Sequence, residues 1–270
     1  MLHSVLLDKN AHSFCIVAES DNSRNLFLGD IVNQGLEDGS AVVLATDLSS
    51  NEIMELLQNK GLDARRYIDS GRLTILDKDS VYSIAETGLE AERLLSRWAS
   101  FVSDVKKKSG CDSILVIGTG KVFFESNNVA KLIEYERHIG KTVGGIPIDA
   151  ICYFDADSFC KLGFADTIQF LNYHEYTVYQ GGVYVQWQPH MMLEIINKAF
   201  DSVLGQGASV ILLKTLKLIY GLDEDTLVSR PELCEEKLKK MLGEAADITL
   251  RKIQREMTMQ LLYMHREKSF

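Results

Sequence analysis

The chain lacks the residues that hold phosphate in common nucleotide-binding proteins. Residues 15–46 have the layout of such a unit, a strand, a loop, a helix and a second strand. The loop, however, reads ESDNSRN and contains no glycine or lysine to surround a phosphate. Glu19 and Asp21 in this loop would repel an anion. This segment therefore predicts a nucleotide-binding scaffold without its phosphate loop.

The Gly120-Lys121 pair does not replace that loop. The glycine that should precede it at fixed spacing is missing, and Val122 stands where a hydroxyl group is needed to bind magnesium. The strand candidate ILVIGTG also ends without the aspartate that completes a hydrolytic site. We therefore expect no ATP hydrolysis by the usual mechanism and no enzymatic activity.

Motifs for nucleophilic catalysis and for metal binding are missing as well. There is no GxSxG sequence, and the five cysteines include no CxxC pair. The six histidines form neither HxxxH nor HxH. Glu134, Glu136 and His138 are spaced by two on a predicted helix, which turns them to different sides. The sequence thus predicts no catalytic residue, no metal ion and no cofactor, and Cys15 and Cys152 are interpreted as small buried apolar residues.

Long apolar runs and an excess of positive charge are also absent. No window approaches ~18 uninterrupted apolar residues, so we expect no transmembrane helix. The first residues have neither a basic region nor a cleavage pattern, so we expect no signal peptide. The net charge is −9, which does not favour direct binding of nucleic acid. The odd number of cysteines fits a reducing compartment, and a cytoplasmic location is expected.

The chain does contain a regular alternation of strand and helix candidates in residues 1–186. Apolar runs such as AVVLA alternate with amphipathic helices, among them one long helix at about 83–107. A hairpin turning at Gly181-Gly182 ends this part. The alternation predicts an α/β domain with a mostly parallel sheet and helices on both faces. After Trp187 the pattern is helical throughout, which predicts an all-helical domain at 187–270.

Polar residues at the predicted carboxyl ends of the strands suggest where a ligand binds. In an open parallel sheet, ligands bind in the crevice at this edge. The residues expected near it are Glu19, Asp47, Asp77, Thr119, Lys121, Tyr153 and Asp155.

Six segments, in order, resemble the MEDS family, the methanogen/methylotroph sensory domain that includes a dichloromethane-responsive regulator. They are His12 before the first strand, the GLExG turn at 35–39, SGRLTILDKDSVY ending at Tyr82, LIEYERHI with Tyr135 and Glu136, AICYFDADSF with Cys152 and Tyr153, and NYHEYTVYQGG with His174. The resemblance implies a fold like that of RecA and KaiC without a working P-loop. It also implies a sensory role toward small organic compounds. Residues 194–258 resemble a helical output domain of Nitrosopumilus type, which implies an archaeal source.

These observations lead to the interpretation of a cytoplasmic protein of signal transduction and transcription regulation. A small organic molecule would bind at the sheet edge, and residues 187–270 would contact a downstream protein. A homodimer is expected, because a few short helices alone form a small core. The predicted ligand-binding residues are His12, Glu19, Arg24, Thr119, Lys121, Tyr135, Glu136, Arg137, Tyr153 and His174.

Two alternatives stay open. The chain could be a KaiC-like module that binds a nucleotide without hydrolysing it, with Arg24 and Lys121 on the phosphates. It could also be a structural assembly protein whose helical tail dimerises and whose α/β domain binds nothing.

Overall fold

The computed structural model describes residues 11–18, 21–143, 148–179 and 183–263. Glu19 and the predicted Gly181-Gly182 turn lie outside the described residues. Two compact units are formed. The first contains the described residues up to Asp155 together with His174–Gln186, and the second contains Ala156–Tyr173 together with the described residues from Trp187 onward.

Among the described residues, seven strands of the first unit form one sheet in the order β3-β2-β4-β5-β1-β6-β7. The strands are β1 (His12–Val17), β2 (Ala41–Thr46), β3 (Leu73–Asp77), β4 (Ile114–Thr119), β5 (Ile148–Asp155), β6 (Tyr176–Tyr179) and β7 (Val183–Gln186). All neighbouring strands are parallel except β6 and β7, which pair in antiparallel fashion. The predicted mostly parallel sheet is therefore confirmed.

The helices of the first unit connect these strands. They are α1 (Asp21–Glu37), α2 (Ser50–Asn59), α3 (Ala64–Asp69), α4 (Lys78–Tyr82), α5 (Ile84–Thr87), α6 (Ala91–Ser109), α7 (Lys121–Glu125) and α8 (Val129–Val143). The prediction of a single helix at 83–107 is wrong at its start, where the structure has two helices, α5 and α6. Gly88 and Leu89 have left-handed backbone angles, with φ of 59° and 58°, which end α5 and separate it from α6.

Side chains alternate between the two faces of the sheet, so each strand contributes to two layers. On one face, which we call the α1 face, residues such as Cys15 and Tyr153 pack with α1 and α2. On the other, the α6 face, Gly118 and Cys152 lie against α6 and α8. Because Phe14 is in register with Cys152, and parallel neighbours in register point to the same side, β1 contributes its alternate residues to the α6 face.

The second unit is helical throughout its described residues. Its elements are α9 (Ala156–Phe159), α10 (Phe164–Asn172), α11 (Pro189–Leu204), α12 (Gln206–Tyr220), α13 (Glu224–Ser229), α14 (Pro231–Leu242), a 3-10 turn (Gly243–Ala245) and α15 (Ala246–Tyr263). This confirms the predicted C-terminal helical region. None of the described helices is long and apolar enough to cross a membrane.

The sequence predicts one domain boundary, near residue 186, whereas the structure also separates 156–173 from the sheet. Phe164 of α10 packs against Phe200 of α11 with ring centroids 6.0 Å apart. The Gln254 side chain of α15 donates a 2.9 Å hydrogen bond to the carbonyl of Phe159. Helices α9 and α10 therefore belong with the C-terminal helices. Their apolar pattern predicts burial, but it does not indicate which layer covers them.

Candidate functional site

Three of the predicted ligand-binding residues meet inside the first unit. His12 begins β1, Glu136 lies on α8, and His174 comes shortly before β6. Oε2 of Glu136 lies 3.2 Å from Nε2 of His12 and 3.4 Å from Nε2 of His174. All three side chains are almost completely removed from solvent. Two imidazoles and a carboxylate thus come into contact at one buried point on the α6 face.

Cys152 completes this group, which we call the buried cluster: His12, Glu136, Cys152 and His174. Its Sγ lies 3.5 Å from Nε2 of His12. One side-chain atom from each of the four residues lies within 4.8 Å of all the others. The rings of His12 and His174 are tilted by 33° with centroids 4.0 Å apart, so both present Nε2 to the same point.

Glu136 is the acidic group of the cluster. Burial alone would raise the pKa of this carboxyl, but the His12 and His174 side chains lower the pKa to about 2. Burial, together with the nearby carboxylate, raises the pKa of the Cys152 thiol. Although both Nε2 atoms are close, Oε2 of Glu136 accepts no hydrogen bond of regular geometry from any described residue. Oε2 of Glu136 therefore contacts both imidazole nitrogens without a regular hydrogen bond.

A cavity of about 340 Å³ lies beside the cluster, between the sheet and helices α6 and α8. Its floor is formed by Gly118 and Cys152 and its walls by Trp98 and Tyr135. Ala99, Ser103 and Lys106 of α6 line the cavity and are exposed, so its mouth lies along this side of α6. Cys152 thus lines the cavity and also belongs to the cluster.

The inner end of the cavity carries two phenols. The rings of Tyr82 and Tyr135 meet edge to face with centroids 6.3 Å apart. Burial raises the pKa of both, so they are neutral groups. Gly118 is required for this arrangement, because a Cβ there would lie 2.6 Å from the Tyr82 hydroxyl oxygen.

The predicted residues at the carboxyl edge of the sheet form a separate group around Asp47. Nη1 of Arg24 lies 3.2 Å from Oδ2 of Asp47, and Nζ of Lys121 lies 3.5 Å from the same oxygen. Oγ1 of Thr119 accepts a hydrogen bond from the backbone N–H of Lys121. A phosphate at this edge would have to compete with Asp47 for both cations.

Tyr153 and Arg137 lie in neither the cluster nor the cavity. The Tyr153 hydroxyl donates a 3.1 Å hydrogen bond to Oγ1 of Thr46 on the α1 side of the sheet. Arg137 is about half exposed and lies 3.9 Å from Glu134 one turn away on α8. Because successive residues of a helix point about 100° apart, Tyr135 reaches the cavity, Glu136 the cluster and Arg137 the solvent.

Within the buried cluster, Cys152 is the residue that the sequence did not predict as part of a site. The four cluster residues come from β1, α8, β5 and the segment before β6, so no local spacing motif connects them. A weaker signal is present: strand alternation puts Cys152 on the opposite face from Tyr153. Together with the pairing of β1 and β5, this alternation puts Cys152 on the same face of the sheet as His12.

We expect Glu136→Ala to destabilise the protein strongly, because it removes the carboxylate between two buried imidazoles. Loss of one partner from a buried pair costs about 3–5 kcal/mol. Glu134→Ala, on the same helix but half exposed, should change the free energy of unfolding by less than about 0.5 kcal/mol. Urea denaturation of the two variants tests this, and equal midpoints would contradict it.

Comparison with known proteins gives a family and a structural similarity. A KaiC-like protein from the hyperthermophilic archaeon Pyrococcus horikoshii OT3 superimposes with a TM-score of 0.45 and 11% sequence identity, over 63% of this chain and 70% of that one. Among curated proteins, no sequence matches significantly. The family model for the MEthanogen/methylotroph, DcmR Sensory domain matches residues 12–175. This match spans more than half of the chain and contains the whole buried cluster, from His12 to His174. The chain therefore belongs to the MEDS family of sensory domains.

Proposed function

We propose that this chain is a cytoplasmic regulatory protein that binds a small, neutral organic molecule in the cavity beneath α6 and α8. Membership of the MEDS family gives the chain a sensory role. The observation that carries the proposal is the cavity of about 340 Å³, which lies within the size range of sites for small molecules.

The lining of the cavity favours an apolar ligand with at most one or two polar atoms. Carbon-rich side chains such as Trp98, Val116 and Ile139 provide most of its surface. Its inner polar groups are the neutral hydroxyls of Tyr82 and Tyr135, which can donate hydrogen bonds, and the sulfur of Cys152. Short alcohols, halogenated hydrocarbons and small aromatic compounds fit this chemistry.

The proposed site differs from the carboxyl edge that the sequence predicts. At that edge, Arg24 and Lys121 already contact Asp47, and these are the cations that the nucleotide-binding alternative requires. The cavity, in contrast, is an open volume of about 340 Å³ between the sheet and helices α6 and α8. We therefore place the ligand on the α6 face.

A bulky side chain at the cavity mouth should prevent ligand binding without disturbing the core. Ala99 is exposed and lines the mouth, whereas Ser100 is exposed and does not. We expect Ala99→Trp to weaken binding at least about tenfold, and Ser100→Trp to bind as the unchanged chain does. The measurement is the thermal shift produced by a panel of short alcohols, chlorinated methanes and small aromatics, followed by calorimetry; a saturating ligand at ~100 times its Kd adds about 2.7 kcal/mol of stability.

The proposal is contradicted if no compound of the panel shifts the unfolding transition of the unchanged chain. It is also contradicted if Ala99→Trp binds a hit as tightly as Ser100→Trp does.

We further propose that the helical unit is the output, that it dimerises, and that it contacts a downstream protein. Helix α12 exposes Ile211, Leu218 and Ile219, which are 67%, 81% and 71% accessible. Their spacing of seven and eight residues puts them on one side of the helix. Large apolar side chains grouped in this way mark surfaces that become buried in an interface.

A charge on this side of α12 should prevent dimerisation. We expect Leu218→Lys to be a monomer in light scattering, at a concentration where the unchanged chain is a dimer. Ile248→Lys on α15 serves as the control, since Ile248 is also exposed but lies on another helix. An unchanged chain that is monomeric at every concentration would refute the dimer.

A further inference from the structure

The buried cluster combines the atom types that transition metals prefer. Two imidazole nitrogens, one carboxylate oxygen and one thiol sulfur converge from four segments of the chain. Four ligands placed tetrahedrally about 2.0–2.3 Å from a zinc ion lie about 3.3–3.6 Å from one another. The measured separations are 3.2 Å and 3.4 Å from Glu136 Oε2 to the two histidines, and 3.5 Å from Cys152 to His12. These three separations are close to those expected around such an ion, and all four atoms lie within 4.8 Å of one another.

The orientation of the carboxylate supports the same conclusion. Oε2 of Glu136 is buried and accepts no regular hydrogen bond from a described residue, although two ring nitrogens lie within 3.4 Å. A network held by hydrogen bonds directs N–H groups at the acceptor. Oε2 is therefore a buried acceptor that lacks a regular hydrogen bond, and a cation placed between it and the two ring nitrogens would satisfy it.

Charge balance gives a third argument. An ionised carboxylate buried on the α6 face carries a large desolvation cost unless it is neutralised. A divalent cation bound by one carboxylate, one thiolate and two neutral imidazoles has no net charge. The thiol proton would be released as the metal binds.

We propose that His12, Glu136, Cys152 and His174 bind one divalent transition-metal ion, with zinc as the best match. The mixed nitrogen, sulfur and oxygen set fits zinc, whereas magnesium and calcium require oxygen ligands. The sequence indicated no metal site, since no pair of its histidines has ligand spacing. The fold creates the site by bringing β1, β5, α8 and the segment before β6 together.

The metal would lie next to the cavity, because Cys152 contributes to both. If the proposed function holds, metal binding fixes the orientation of a side chain that the organic ligand contacts. The metal site itself does not depend on that function, so the two proposals can fail separately.

The first experiment measures metal binding by the unchanged full chain without any organic compound. After treatment with a chelator and dialysis, the chain should take up one zinc ion per molecule, measured by elemental analysis and competition with a chromophoric chelator. Cobalt(II) should replace zinc and give intense visible bands of a four-coordinate ion and a thiolate-to-cobalt charge-transfer band in the near ultraviolet.

Single substitutions then assign the ligands. Cys152→Ser should abolish the charge-transfer band, whereas Cys15→Ser should keep it, since Cys15 is also buried but lies on the α1 face. His174→Gln should weaken metal binding by more than the ~10–100-fold that loss of an outer-shell partner causes. His138→Gln, which changes a histidine outside the cluster, should bind metal normally. Circular dichroism of each variant verifies that it is folded.

The proposal is overturned if the unchanged chain takes up less than a tenth of an equivalent of zinc or cobalt. It is also overturned if a cobalt complex forms without a thiolate band, or if the folded Cys152→Ser variant keeps that band. The proposal stays testable even if a variant does not fold, because the first two of these results come from the unchanged chain.

Discussion

The arrangement of the first unit depends on the burial of one carboxylate. Glu136 on α8 points into the α6 face, where solvent cannot reach it. A charge in this position must be neutralised by neighbours, and His12 and His174 lie on its two sides. These contacts connect α8 to the start of β1 and to the segment before β6. The family match, which covers residues 12–175, contains all three of these residues.

The two faces of the sheet are packed differently. On the α1 face, the side chains form a continuous apolar core with α1 and α2. On the α6 face, the packing leaves a cavity beside the cluster, with Cys152 between them. At the carboxyl edge, where the sequence places the ligand, Arg24 and Lys121 already contact Asp47. The space for the proposed ligand therefore lies within a layer and not at the carboxyl edge.

The sequence predicts the class of the fold well and the site only in part. Alternating apolar strands and amphipathic helices indicate the parallel sheet, and the abrupt change after Trp187 indicates the helical region. His12, Glu136 and His174 were predicted from the family resemblance, but their contact with Cys152 was not. That contact depends on strand order and on the face to which each strand turns its residues, and neither is encoded in local spacing. The packing of 156–173 with the C-terminal helices was missed for the same reason.

The most direct test of a metal-centred cluster beside a ligand cavity is anomalous X-ray diffraction from crystals of the full chain grown with zinc. The account predicts one strong peak at the zinc absorption edge, about 2.0–2.3 Å from the ligand atoms of His12, Glu136, Cys152 and His174. A map without a peak at this position, in which N–H groups of His12 and His174 donate well-directed hydrogen bonds to Glu136, would contradict it.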